Sequence, residues 1–452
     1  MAVDVDERCT TSPWRPVQFL GSKLRSLDLI AEAVRRLGSA SVTVWEPFSG
    51  SSVVSQRLAS EGHRVWGADA LASSATIATA MLGVGRPTDQ TDLVSLAEAA
   101  VDHARLGVAP GWDLWVRQER QALSDGDGAR LLAESQSIPQ RWRPAGADRE
   151  LTSLFTRVEA HAAAGMVSTV GLLSATYAGT YFGLGQSLEL EALRGAVDAV
   201  TAEQGPGDSW ARATLLTALC HAASAAAFSP GKHFAQPHRV RDGKDLTFHA
   251  QRALQDRSVD VAEKFLLATR TIQRTARPSD EGHVAEHRLV GDTTAADLRT
   301  RGVSVAYADP PYTAQQYSRF YHLLDTLVTG VPPALQRVQG EVTRGLYPDG
   351  RYLSPFSSRR QAPQAFRDLI RVAHSAGASV VLSYSAARGS ATGNARIVSL
   401  EEIVGWVGEA YGVAAVSVDR LDLRYRQFNS SRAGVAGRED PEFLVVGDAH
   451  AR

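Results

Sequence analysis

The 452-residue chain is poor in sulfur, with two cysteines and three methionines, and no apolar run in it is long enough to span a membrane. Cys9 and Cys220 are too few for a disulfide framework, which fits a reducing compartment, and neither stands in a context that activates a thiol. The opening MAVDVDERCTTSPWRP lacks the apolar centre of a signal peptide. The expectation is a soluble, cytoplasmic protein without membrane contact. An excess of one charge is also missing: 48 basic residues face 49 acidic ones, a net charge of −1. That excludes whole-molecule attraction to nucleic acid, so any such surface has to be local. Internal repeats and low-complexity tracts are absent. What is present is 44% hydrophobic residues, enough for a sizeable core, and a length that suits two domains or one core with a large insertion.

Two stretches alternate strand and helix patterns. In SKLRSLDLIAEAVRRLG, Leu24, Leu27, Ile30, Val34 and Leu37 fall on one helical face and Gly38 supplies a stop. VTVWE then reads as a strand, SSVVSQRLASEG as a helix and HRVWGAD as a second strand. From about 71 to 283 the alternation gives way to helical patterns, which predicts a helical insertion. Within it SPGKHFAQPHRVRDGKDLTFHAQ, rich in Gly, Pro, His and basic residues, reads as an ordered loop or a partner-binding segment. Alternation resumes with EHRLVGD and VSVAYAD, continues through ASVVLSYS, and closes on VAAVSVDRLDLRYR and PEFLVVG as a terminal antiparallel hairpin. This predicts an α/β fold with an open, mostly parallel sheet covered on both faces, where ligands bind beyond the carboxyl ends of strands.

Three turns carry candidate chemistry. EPFSGSSVV joins the first strand to its helix, and Gly50 lets the main chain approach a ligand near free helix amides. Asp69 ends the next strand 19 residues after Gly50, near the spacing at which an acid bonds a nucleoside ribose; the plainer alternative is a helix N-cap. FLGSK precedes the first helix. Lys23 there opposes the helix dipole and invites a carboxylate, whereas Phe19 reads as core or as a stacking ring. The sharpest turn is YADPPY. Pro310 and Pro311 carry no amide hydrogen and fix their φ angles, so Asp309 and its neighbouring carbonyls form a rigid, acceptor-rich cup. An exocyclic amine has two hydrogens to offer to such a cup, and Tyr312 has a face on which a base can stack.

FLGSK, EPFSGSS, Asp69, VGD at 290–292 and YADPPYTAQQYSRFYHLLDTL together resemble adenine-N6 DNA methyltransferases of the DNA adenine methylase class, the type found in restriction-modification systems. The resemblance covers roughly 17–70 and 285–447, about half the chain. It implies a Rossmann-like methyltransferase fold and S-adenosylmethionine as cofactor. By position, Phe19, Gly21 and Lys23 would meet its methionine moiety, Phe48 and Gly50 the turn beneath it, Asp69 the ribose and Asp292 the adenine. Asp309, Pro310 and Tyr312 would hold the target amine and base. One departure is Ser52, which stands where the family has the second glycine of F-x-G-x-G.

The resulting domain expectation is a tail at 1–16, a catalytic domain in two parts at 17–70 and 284–452, and a helical insertion at 71–283 as candidate target-recognition domain. The expected partner is double-stranded DNA, with a cognate restriction or defence protein beside it. Lys232, Arg239 and Arg241 are candidate DNA contacts against the alternative of a solvated loop, and Gln315, Gln316, Tyr317 and Arg319 are candidates against helix capping and packing. Cys220, His221, His233 and His238 lack the spacing of a zinc site, so no metal is expected. The competing functions are methylation of adenine in RNA and a non-catalytic DNA-binding subunit.

Overall fold

The structure is a computed structural model that describes residues 13–38, 41–86, 92–105, 111–202, 209–238, 246–276, 282–385, 396–421 and 442–451. Arg239 and Arg241 lie outside the described residues.

Seven strands form one sheet: β1 (Thr43–Glu46), β2 (Arg64–Asp69), β3 (Val284–His287), β4 (Val303–Ala308), β5 (Ser379–Ser385), β6 (Val416–Leu421) and β7 (Glu442–Gly447). Their order is β3-β2-β1-β4-β5-β7-β6. The first five run parallel, and β7 is antiparallel to both β5 and β6. The expected terminal pairing of VSVDRL with EFLVVG is therefore present, but its second strand is inserted between β5 and β6. The strand order reverses between β1 and β4, which places a crevice at their carboxyl ends.

The helices are α1 (Leu27–Arg36), α2 (Val53–Ser60), α3 (Ala72–Met81), then α4 (Leu93–Arg105), α5 (Asp113–Ser124), α6 (Gly128–Ser137), α7 (Arg149–Ala164), α8 (Ser174–Tyr177), α9 (Leu184–Ala202), α10 (Ser209–Ala226), α11 (Leu246–Arg257) and α12 (Val261–Thr275), and finally α13 (Ala295–Thr300), α14 (Ser318–Thr329), α15 (Ala362–Ser375) and α16 (Leu400–Tyr411). Among the described residues no helix is long and apolar enough to cross a membrane. Two local expectations need correction. The first helix starts at Leu27, because Lys23 to Ser26 form a turn closed by the Ser26 amide on the Lys23 carbonyl. The end of the basic loop, from Leu246, is helical.

Successive strand residues point to opposite faces, and the two faces have separate cores. Trp45, Trp66, Ala306 and Leu382 pack with α15 and α16 through Phe366, Ile370, Ile403 and Trp406. Val44, Val65, Val305 and Val381 pack with α1 and α2 through Ile30, Val34, Val54 and Leu58. Each such fully buried side chain contributes about 2–3 kcal/mol, which fixes the register and with it the strand ends.

A third core is larger. It joins Ile77 and Met81 of α3 to the insertion helices α4, α9, α10 and α12, and to Tyr321, Leu324 and Leu327 of α14. The helical insertion thus shares its interior with the helix that follows the Asp309 turn. Arg194 of α9, 1% exposed, adds a polar link. Its guanidinium donates to the Leu327 carbonyl at 2.5 Å and the Val328 carbonyl at 3.2 Å, and pairs with Asp198. It serves the carbonyls at the C-terminal end of α14 that have no helical partner.

Candidate active site

The cleft at the sheet reversal holds about 850 Å³, counting its open mouth, and is lined by the turns after β1, β2 and β4 and by residues 19–23. Each turn contributes for a local reason.

After β1, Gly50 has φ +50° and its amide donates to Asp69 Oδ2 at 2.9 Å. A Cβ at Gly50 would lie 2.9 Å from the Phe19 ring, so only glycine fits. Ser52 is left-handed as well, with φ 58° and ψ 21°, at the N-cap of α2. Its hydroxyl is buried and has no hydrogen-bond partner. The position that holds serine instead of glycine is therefore one where glycine would relieve strain. Glu46, at the end of β1, is buried and receives the Ser55 hydroxyl. Burial, then the charges of Asp309 and Asp69, push its carboxyl up to about 8, so it is protonated at neutral pH.

After β2, Asp69 accepts from the Gly50 amide with one oxygen and from the Leu71 amide with the other, each at 2.9 Å. Burial raises its carboxyl to about 6 against the pull of those two bonds. It is not the N-cap of α3. The N-cap position is Leu71, and a first-turn amide is satisfied from outside by Asp325 of α14, which receives the Ser73 amide and hydroxyl at 2.8 and 2.6 Å. Asp69 lines the cleft, as does Phe48. Asp292 is exposed on a single 3₁₀ turn whose Val290, not Asp292, faces the cleft.

After β4 the strand stops at Ala308 and Asp309 enters the cleft with its side chain 21% exposed. Lys23, 4% exposed, lies 3.0 Å from Asp309 Oδ1 and 3.2 Å from Glu442 Oε1. The Lys23 ammonium is a charged partner of Asp309 Oδ1, and a carboxylate oxygen with one such contact still has a lone pair for a second donor. Burial opposes the Lys23 charge, yet Asp309, Tyr312 and Glu442 outweigh it and hold its pKa well above the usual value. Asp309 is raised to about 6 by burial, with Lys23 pulling the other way. Lys23 was expected to attract a carboxylate, and two of the protein's own occupy it.

The strip carrying Phe19, Gly21 and Lys23 is fixed by α14. Phe19 stacks on Tyr321 with centroids 4.2 Å apart, the Leu20 amide donates to the Tyr321 hydroxyl at 2.7 Å, and the Tyr317 hydroxyl donates to the Leu20 carbonyl. Phe19, Gly21 and Tyr317 line the cleft. Pro311 also lines it, whereas Pro310 and Tyr312 do not. The Tyr312 ring carries the Arg396 guanidinium 4.8 Å from its centroid and meets Tyr384 edge-on.

The remaining candidates are dispersed. Lys232 faces inward: its ammonium donates to the Ala225 and Ala227 carbonyls and pairs with Asp256 at 2.7 Å. Gln316 clasps the backbone of Ser354, and Arg319 sits on the Tyr347 ring. Gln315 is exposed, and its carbonyl receives the Ser357 hydroxyl. Cys220 is buried with its thiol pushed far up, and His221 bonds the Pro16 carbonyl. Among the described residues no group of three or more His, Cys, Asp or Glu is placed to hold a metal.

Four contributors had no role assigned from sequence: Glu46, Glu442, Tyr352 and Arg396. Glu46 had a signal, since it opens the EPFSG turn. Glu442 begins the last strand and meets Lys23 only through the sheet, 419 residues away in the chain.

The cleft is a floor of carboxyls with a buried cation, Lys23, beside Asp309, and backbone amides near Gly50. Among the described residues that line it there is no thiol or imidazole, and the carboxyls and Lys23 can orient a bound group and stabilise charge on it. No family model matches the chain. It is similar to the Modification methylase LlaI of Lactococcus lactis subsp. lactis, 28% identical over 160 residues, which are 35% of this chain and 23% of that protein. The match thus spans about a quarter of the relative's length. With the strand order above, the fold is a Rossmann-like methyltransferase fold.

Proposed function

We propose that the protein is an S-adenosylmethionine-dependent DNA methyltransferase that modifies the N6 amine of an adenine turned out of the duplex, in a restriction-modification or phage-defence setting. The observation that carries this reading is Asp309, held just past β4 in the cleft, paired with Lys23 and followed by two prolines that offer it no amide. The similarity to a modification methylase supports the reaction class.

The cofactor fits the residues present. Gly50, where a Cβ would strike Phe19, permits close backbone approach, and the Ser49 and Ser52 hydroxyls are buried without partners. Phe19, Gly21 and Lys23 would border its methionine end, Phe48 and Gly50 its middle, and Asp69 its ribose; Asp292 stands at the rim beside Tyr352. S-adenosylmethionine supplies an electrophilic methyl group. The protein's part is to present the nucleophile. Asp309 accepts an amine hydrogen, which orients the nitrogen lone pair, and Lys23 keeps the Asp309 carboxylate in place; the Pro310 carbonyl, outside the cleft lining, takes the second hydrogen only if the loop adjusts on binding. Duplex DNA hides that amine, so the base has to leave the stack, at a cost of a few kcal/mol that pocket contacts offset. Tyr312 already has Arg396 and Lys23 over its ring, so stacking on a base requires Arg396 to move. Tyr384 meets the Tyr312 ring edge-on and braces it.

The test is expression in a bacterial host followed by sequencing of its DNA for modified adenine, with Asp309→Ala alongside. Modified adenine in one sequence context, lost in the variant, is the expected result. Unmodified DNA with labelled RNA would transfer the activity to RNA, and failure to bind S-adenosylmethionine would point to a non-catalytic subunit.

A further inference from the structure

We propose that Leu353 is the wedge that enters the base stack as the target nucleotide leaves it, with Arg319 and Arg351 holding the phosphates alongside. The inference rests on the DNA reading above.

Leu353 is 58% exposed, although its neighbours Tyr352 and Ser354 both line the cleft. A single exposed leucine is ordinary on a protein surface. One mounted at the mouth of a cleft meets whatever enters it. The backbone on both sides of Leu353 is tied to the segment that leaves the Asp309 cup. Ser318 Oγ donates to the Tyr352 carbonyl at 2.6 Å. The Ser354 amide donates to the Gln316 side-chain oxygen at 2.7 Å, and the Gln316 side-chain amide donates back to the Ser354 carbonyl at 3.3 Å. Leu353 is therefore held at a set distance from Asp309. A side chain that replaces a base between stacked neighbours has to be apolar and needs this kind of mount, because a loose loop would lose conformational freedom on insertion.

The charge beside it is of the matching sign. Arg319 and Arg351 lie 4.9 and 5.3 Å from the centroid of the Tyr347 ring. Their hydrogen-bond partners are neutral: Arg319 donates to the Tyr347 hydroxyl and Arg351 to the Gln336 side-chain oxygen. Among the described residues neither forms an ion pair with a carboxylate. Two guanidinium groups kept close without an acid favour an anion between or above them, and a nucleic-acid backbone brings phosphates at close intervals. Arg351 is two residues from Leu353, so strand and wedge arrive together.

The experiment uses duplexes that contain the site identified from modified host DNA, with the target adenine either paired to thymine or facing an abasic position. Leu353→Ala is expected to lose about tenfold or more in kcat/KM on the paired duplex and to recover on the abasic one, where the base is already unpaired and cheap to extrude. Leu353→Met, which keeps length and apolarity, is expected to retain activity on both. Arg351→Gln is expected to weaken binding and to reduce the slope of log affinity against log salt by about one phosphate contact. Equal loss on both duplexes would make Leu353 merely structural, and no loss on the paired duplex would leave its exposure to another partner; either overturns the wedge. A wild type inactive on both duplexes overturns the wedge and the DNA reading together, whereas failure of the wedge alone leaves wild-type activity intact.

Discussion

Asp69 and Asp309 end strands on either side of β1, and burial raises both carboxyls to about 6. Their surroundings are otherwise opposite. Asp69 receives two backbone amides, from Gly50 and Leu71, and so holds two turns in shape while it faces the cleft. Asp309 is followed by two residues that have no amide to give, and the Lys23 ammonium is its close partner among the described residues. A carboxylate held by two main-chain amides is tied to the scaffold; one beside prolines, paired only with a side-chain cation, suits the ligand-binding role proposed for Asp309. The same side chain at equivalent points of a sheet thus does two jobs, and the neighbouring backbone decides which.

Substitution separates the two most strongly. Asp309→Asn turns one acceptor into a donor against the amine and leaves Lys23 with Glu442 alone, so kcat is expected to fall by about 10²–10³-fold with cofactor binding kept. Asp69→Asn sets an amide donor against a backbone amide, and the expected effect is a loss of about 1–3 kcal/mol in stability with a raised cofactor KM and a smaller change in kcat. Thermal denaturation and initial rates distinguish the two patterns. Similar kcat losses in both variants would dissolve the contrast.

Acid should then sharpen it. In the proposed role Asp309 accepts an amine hydrogen when ionised, and it takes up its proton as pH falls through about 6. Since kcat/KM reports the free enzyme, it is expected to be level between about 6 and the range near 8 where Glu46 ionises, and to drop about tenfold per pH unit below 6. Asp69 titrates in the same range, so the profile of Asp69→Asn decides which carboxyl is responsible: the acid limb persists if it belongs to Asp309.

The smallest effect concerns the turn that Asp69 supports. Ser52→Gly removes a side chain from a left-handed position and is expected to add about 1 kcal/mol of stability, seen as a higher Tm. Gly50→Ala is expected to do the reverse through its clash with Phe19. A Ser52→Gly protein less stable than wild type would mean that the buried hydroxyl makes a contact worth more than the strain.

Much of the fold was legible because period-two residues announce their faces: VTVWE and HRVWGAD send Val44 and Val65 to one core and Trp45 and Trp66 to the other. The Asp309 turn was legible for a different reason, since two consecutive prolines after a strand constrain backbone whatever surrounds them. The rest depended on long-range pairing. Glu442 reaches Lys23 only because β7 inserts antiparallel beside β5, and nothing within EFLVVG announces that partner. Lys232 looked available in a basic loop, but the acid that engages it, Asp256, belongs to α11, which periodicity did not reveal. Arg396 over Tyr312 is of the same kind: a lone arginine gains meaning from the ring it covers.

The Arg194 link between α9 and α14 has a mechanical consequence. At its other end α14 begins at Ser318, whose hydroxyl anchors Tyr352, and Gln316 just before it clasps Ser354. The helix is gripped by the insertion at its tail and carries the rim of the cleft at its head, so it behaves as an axle rather than a spacer. A shift of α9 on meeting a partner must either break the Arg194 bonds to Leu327 and Val328 or turn the whole rod. Any load on the insertion that reaches Arg194 is thereby felt at Tyr352 and Ser354 on the rim of the cleft.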